Sequence, residues 1–433
     1  MDVMKKIYKN WQVISLKNEW LEVLIAPQLG GRLLQFDMVG YPFFFNNDAL
    51  AGVLPGDRGL GHDGSWLNFG GEKIWPAPQG WESSESWPGP PDPILDSGIY
   101  SVLESSVQEG KPKIVLFSPY DDKTGLIIEK QLSLAEDRPE VRITGIFHNR
   151  SSRSRRWSVW SVCQMQATAA VLENQYRIVC PINPHSVFEQ GYKILHGLAN
   201  NPQFNKDTAG NMVVSYQYLV GKIGLDTNDG WVAYLDFATG KIFILMSLSE
   251  PGVLYPDQNT VQIWTQGKGM IYSRKRIIEY ADDPVKNPPY MEIEVLSPIQ
   301  SIPPGGQIKF EYRMLSCTIP AKMEIKSVSE FAVLACPLCV TREIAGFLVT
   351  GAFGFFINGT LRLQIKAIFE DLLEEELLSK VYAVSPCTGV DVKWRSTESQ
   401  WRRHVLINIT ANLYGEDGQF VCEIDKVERY RTD

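Results

Sequence analysis

The segment YMEIEVLSP, residues 290–298, alternates apolar and polar side chains with a period of two, the pattern of a half-buried strand. On such a strand Tyr290, Glu292 and Glu294 share one face, and Met291, Ile293 and Val295 share the other. Two carboxylates then stand ~7 Å apart on the face away from the core, given a rise of ~3.4 Å per residue. Such a pair can exchange protons with a bound ligand, and it is also what an ordinary solvated strand presents. RWSVWSVCQM, residues 156–165, has the same period and puts Ser158, Trp160, Val162 and Gln164 on one side. An indole with an amide two steps along the same face suits a sugar, because the ring stacks on C–H groups and the amide reads hydroxyls. The competing reading is a tryptophan packed in the core.

NFGGEKIWPAPQGW, residues 68–81, is a third unusual stretch, flanked by Trp66 and Trp87. Its glycines and prolines predict a loop rather than a central strand. Its tryptophans then either line a cleft or seal the end of the domain. Other chemistries find no motif. The five histidines (62, 148, 185, 196 and 404) do not pair at metal-ligand spacing, and GxSxG, HExxH, P-loop and GxGxxG patterns are absent. No metal and no cofactor is expected. Paired carboxylates for glycoside hydrolysis stay open, since two acids can meet from anywhere in the chain.

These residues need strands to hold them. The first three hundred residues alternate in many short runs separated by turn signals such as Thr-Asn-Asp-Gly and Pro-Pro-Gly-Gly, which predicts an antiparallel all-β domain. A linker near 317–325 suggests a division into residues 1–318 and a smaller β-rich domain, 319–433. Within the latter, AIFEDLLEEELLSKVYAV (367–384) has helical spacing and predicts one helix. FAVLACPLCV and IAGFLVTGAFGFFI are too short to span a bilayer and predict two buried strands. A net charge of −8 argues against nucleic-acid and anionic-membrane partners. Seven scattered cysteines do not form a disulfide framework and fit a cytoplasmic setting. Cys336 and Cys339, the single CxxC, are expected to be buried free thiols, with a redox pair or half a metal site as the alternatives.

Five segments in order, PQLGGRLLQFD, NFGGEKIWPAPQGW, GKIGLDTNDGWVAYLD, LYPDQNTVQIWT and YMEIEVLSPIQSIPPGGQIKFEYR, resemble the galactose mutarotase-like proteins, and more closely their DUF4380 branch. The resemblance covers roughly residues 10–316 and implies a large antiparallel β-supersandwich. It also implies carbohydrate binding of the aldose 1-epimerase type, in which a glutamate takes the anomeric hydroxyl proton and a histidine protonates the ring oxygen. Glu294, and after it Glu292, fits the place of the glutamate. Trp160 or Ser161 stands where the family's histidine would, leaving His62 as the nearest imaginable replacement. The matching segments further imply ligand contacts from Arg32, Lys73, Trp75, Trp160, Gln164, Lys222, Tyr255 and Asp257. Two lysines and an arginine would accept a sugar acid or phosphosugar. The missing histidine keeps an alternative open: a non-catalytic sugar-recognition or assembly module that forms oligomers through its C-terminal domain. A lesser option is a glycoside hydrolase or lyase that sets Asp257 opposite Glu294.

Overall fold

The computed structural model describes residues 2–81, 83, 85–108, 111–168, 175–343, 346–369, 373–396 and 404–430. Among them every regular element is a strand, apart from 3-10 turns at Asp48–Leu50 and Pro256–Gln258. Two compact units divide the chain: Met1–Glu136 with Glu140–Tyr234 and Phe243–Leu315, and Asp137–Pro139 with Leu235–Ile242 and Ser316–Asp433.

The first unit is built on two large sheets. In the twelve-stranded one, Arg32–Met38 is followed by Glu72–Ala77, Arg155–Gln166, Tyr290–Leu296, Val261–Gln266, Gly221–Leu225 and Lys193–Gly197. The register across its centre is antiparallel, with Ile74 opposite Ser161, Ser161 opposite Val295 and Val295 opposite Val261. The ten-stranded sheet carries Lys241–Ser247, Gln307–Thr318, Glu140–Asn149 and Leu126–Leu134 side by side. Leu126–Leu134 alternates buried and half-buried residues along its whole length, as its sequence pattern demands. The sheets meet through apolar faces, with Phe36 of one set edge-on to Phe243 of the other at 5.1 Å. Each such side chain taken out of water contributes about 1.5–3 kcal/mol. One charged cluster sits within this layer: buried Glu72 pairs with Lys130 and accepts from the Tyr312 hydroxyl at 2.6 Å.

Glu72–Ala77 corrects the expectation that NFGGEKIWPAPQGW is all loop. It is a fully buried strand near the middle of the sheet, with Pro76 opposite Val159. A proline fits because the strand is paired along its length only with Arg155–Gln166. On its other side it meets Arg32–Met38 at a single position, Leu33 with Glu72. The preceding glycines have no substitute. Gly70 and Gly71 have φ of 88° and 73°, and a Cβ there would lie 2.0 Å from the Phe45 carbonyl oxygen and 2.6 Å from that of Leu33.

The second unit contains two four-stranded sheets. One runs Ser327–Val328, Ala332–Glu343, Gly346–Phe355, Val390–Arg395, and the other Glu374–Val384, Gly359–Phe369, His404–Tyr414, Phe420–Tyr430. Phe347, Phe353 and Phe355 from the first pack with Leu361, Leu363, Ile407 and Ile409 from the second in one core. The helix expected over 367–384 is not there: its described residues form the end of one strand and the whole of Glu374–Val384, while 370–372 lie outside the described residues. The expectation of buried thiols at Cys336 and Cys339 is corrected as well, since Cys339 is exposed and Cys336 half-buried.

Candidate functional site

The polar face of the twelve-stranded sheet gathers most of the residues singled out above. Val162 lies opposite both Lys73 and Glu294, Trp160 opposite both Trp75 and Leu296, and Gln164 opposite Glu292. Paired residues share a face, so Lys73, Trp75, Trp160, Gln164, Glu292 and Glu294 all project from one side of three adjacent strands. The next three strands add Gln262 opposite Glu294, Lys222 opposite Trp264, and His196 opposite Lys222.

Glu294 is the electrostatic centre of this face. It is fully buried, and its Oε2 accepts from Trp160 Nε1 at 2.8 Å and from Lys222 Nζ at 2.9 Å. Its Oε1 has no hydrogen-bond partner among the described residues. Burial pushes its carboxyl above the usual range, against the opposing pull of Lys222. The Lys222 ammonium also lies 4.8 Å from the centre of the Trp160 ring. Beside this group, Glu292 Oε1 accepts from Gln164 Nε2 at 2.8 Å and lies 3.8 Å from Lys73 Nζ. Lys73 is buried over the Trp75 ring at 4.7 Å, and its ammonium makes no hydrogen bond to the described residues. Desolvation pushes its pKa down to about 8, although Glu292 opposes the shift.

A cavity of about 600 Å³ opens on this face. Trp160, Lys222 and Gln262 form part of its lining, and His196, Asp257 and Arg274 stand around them. The segment after Ala77 supplies another wall, including Gln79 and Trp81. Among the described lining residues, four are basic (Lys193, Lys222, Arg274 and Lys275) against a single carboxylate, Asp257. The hairpin Gly269–Ser273 and Arg276–Tyr280 brings its tip to the cavity, where Arg274 donates to the Pro90 carbonyl at 2.7 Å and lies 5.3 Å from the Trp81 ring centre. The imidazole of His196 is held below its ordinary pKa by burial and by Lys222.

Of the residues implied by resemblance, Trp160, Lys222 and Asp257 line the cavity, whereas Trp75, Lys73, Gln164, Glu292 and Glu294 share the sheet face without lining it. Arg32 is fully buried and donates to Asp96 Oδ1 at 2.5 Å and to the Gly70 carbonyl at 3.1 Å, bracing the turn before Glu72–Ala77. Tyr255 is buried, and its hydroxyl accepts from the Glu250 amide at 2.8 Å. His62 is an exposed loop residue outside the cavity lining. His196, Gln262 and Arg274 are the members that sequence reasoning did not assign, whereas Trp81 belongs to the tryptophan-rich stretch expected either to line a cleft or to seal the domain. The tryptophans of the Trp-rich stretch divide between packing and cavity. Trp66 and Trp87 donate to Asp96 and Asp92 at 2.8 and 2.9 Å, and Trp87 packs on Trp75, while Trp81 remains 44% exposed at the cavity.

Comparison with solved structures finds likeness to a TPR-domain containing protein from Parabacteroides distasonis, at 13% identity and TM-score 0.47, over 77% of this chain and 50% of that one. This chain therefore spans half the length of that protein. A candidate mutarotase from Salmonella typhimurium is similar at 10% identity and TM-score 0.48, over 73% of this chain and 94% of that one. A galactose mutarotase-like protein from Clostridium acetobutylicum is similar at 11% identity and TM-score 0.45, over 73% and 99%. A family model described as a domain of unknown function, DUF4380, matches residues 11–314, and the chain belongs to that family.

Proposed function

We propose that the cavity binds a small carbohydrate carrying an anionic group, a sugar acid or phosphosugar. The observation that carries this reading is the lining itself: two indoles, Trp81 and Trp160, beside four basic side chains, in about 600 Å³. Indoles stack on the C–H faces of a sugar ring, amides such as Gln79 and Gln262 read hydroxyls, and a guanidinium such as Arg274 takes a carboxylate or phosphate in two bonds. Titration calorimetry with gluconate, glucose 6-phosphate and glucose tests it. Arg274→Ala should weaken binding of the anionic sugars at least tenfold and leave any binding of glucose nearly unchanged. Equal loss for charged and neutral sugars, or no binding of any of them to the wild type, removes the proposal.

A second reading, interconversion of anomers, is favoured by one specific observation. Glu294 combines an unpartnered carboxylate oxygen with a raised pKa, which suits a proton acceptor, and its partners Trp160 and Lys222 line the cavity together with His196. Because Glu294 is fully buried, turnover needs Trp160 or Lys222, the side chains bonded to it, to move aside. Polarimetry on aldoses separates the readings: mutarotation accelerated by the wild type and lost in Glu294→Gln supports catalysis. Binding without acceleration leaves a recognition module.

A further inference from the structure

The CxxC segment takes no part in the cavity, and its geometry has its own meaning. Ala332–Glu343 is bulged twice against Gly346–Phe355: Leu334 pairs with Phe353, Cys336 with Ala352 and Cys339 with Thr350. Each shift inserts one extra residue. Ala352 and Thr350 lie two steps apart on one face of their strand, so their partners Cys336 and Cys339 share that face too. Leu338 and Val340 point the other way, into the apolar core. Two steps of strand are ~7 Å, just beyond the Cα separation of about 4.4–6.8 Å that a disulfide spans, and a bulge bends the strand that carries both cysteines. The backbone N–H of Leu338, beside the bulge, is held by Asp425 Oδ2 at 2.6 Å. Both sulfurs are free thiols: Cys336 donates to the Pro337 carbonyl at 3.5 Å and Cys339 lies 3.9 Å from the Thr341 hydroxyl. Burial, and after it the neighbouring Cys339, raises the pKa of Cys336.

We propose that Cys336 and Cys339 form a paired-thiol modification site that small disulfides such as oxidised glutathione convert to a disulfide within the strand. Exposure assigns the order. The exposed Cys339, as thiolate, attacks one sulfur of oxidised glutathione, the S–S bond breaks, and one glutathione leaves as thiolate and takes up the proton that Cys339 lost. The half-buried Cys336 then gives up its proton and attacks the Cys339 sulfur. The mixed disulfide breaks and the second glutathione leaves. Two protein thiols are oxidised and one glutathione disulfide is reduced to two thiols, so the exchange balances without another reagent. Cys163, Cys180 and Cys317 are buried and outside this chemistry.

The full chain is incubated with oxidised glutathione, alkylated with iodoacetamide, and mapped by peptide mass spectrometry without reduction. The wild-type peptide holding both thiols should lack two hydrogens and carry neither alkyl group nor glutathione. Cys336→Ser should stop at a stable glutathionyl group on Cys339, and Cys339→Ser should slow modification of Cys336 at least tenfold. A stable glutathionyl group on Cys339 of the wild type would overturn the pairing. Unchanged reactivity of Cys336 in Cys339→Ser would overturn the order of attack.

Discussion

Lys73 carries an electrostatic cost on the polar sheet face. Burial holds its pKa near 8, whereas an unperturbed lysine titrates at 10.5. Between those values the unfolded chain keeps a proton that the folded chain has released. Stability therefore rises with pH from about 8 to about 10.5, by up to about 3 kcal/mol from this group. Below 8 both states are protonated and the native state bears the full penalty. Lys73→Met keeps the apolar stem over Trp75 and removes the charge. It should be more stable than wild type at pH 7, with an advantage that shrinks by about 2 kcal/mol or more at pH 10. Urea unfolding of both proteins at the two pH values reads this directly, and an advantage equal at both would sink it. Alternation in the sequence was enough to set Trp160 beside Gln164 on one strand and Glu292 beside Glu294 on another, because the period of two leaves no choice, whereas only the pairing of the two strands puts all four on one face. It did not show depth. Glu294 reads as a surface acid and is fully buried, since Trp160 from the adjacent strand and Lys222 from two strands away close over it. Arg32 reads as a ligand contact and is a buried brace for the same reason: Asp96, sixty-four positions away, reaches it.

Among the elements, the hairpin at the cavity is the least expected from local chemistry. Its two-residue turn is Arg274-Lys275, with φ of 52° and 59°. Such turns strongly favour Asn-Gly, because residues with a full side chain resist positive φ. A turn built from two long basic side chains thus gives up stability to place charge at the cavity. The double variant Arg274→Asn, Lys275→Gly should raise the urea midpoint, by about 1 kcal/mol in stability, while weakening an anionic sugar at least tenfold. A variant less stable than wild type would show that the tip's contacts, including Arg274 over Trp81, outweigh the backbone strain. Neither this tip nor His196 was legible beforehand. Lys193–Gly197 is a short strand with a bulge between Ile194 and His196, so no period marks it. Glu374–Val384 was misread in the opposite direction. Its glutamates and leucines favour helix in isolation, but as an edge strand it needs charge along its rim, and Glu374 and Glu376 find Lys366 and Gln364 on the neighbouring strand.

At the scale of the whole chain, the second compact unit takes most of its residues from Ser316 onward, yet it is not one continuous piece. It takes in residues 137–139 and 235–242, which the sequence assigns to the first three hundred residues without distinction. The reason is local and physical. The Ile319 N–H donates to the Gly240 carbonyl at 2.9 Å, the Lys322 N–H to the Phe237 carbonyl at 2.8 Å, and Arg138 to Glu330 at 2.9 Å. Hydrophobic periodicity identifies strands but carries no information about which distant turn will cap them. A fragment of residues 319–433 keeps the apolar core around Phe353 and Ile409 and so should still fold as β structure. It loses those three partners, the two backbone bonds being worth about 1 kcal/mol each and the half-exposed ion pair less. A loss of about 2–3 kcal/mol lowers a urea midpoint by roughly 1 M or more for a domain of this size. Hydrogen exchange of peptides from Gly346–Phe355 and Gly359–Phe369, followed across a urea series in the fragment and in the full chain, measures that shift. Coincident midpoints would mean that residues 137–139 and 235–242 add nothing to the second unit, and that a division at 318 and 319 separates two self-sufficient domains.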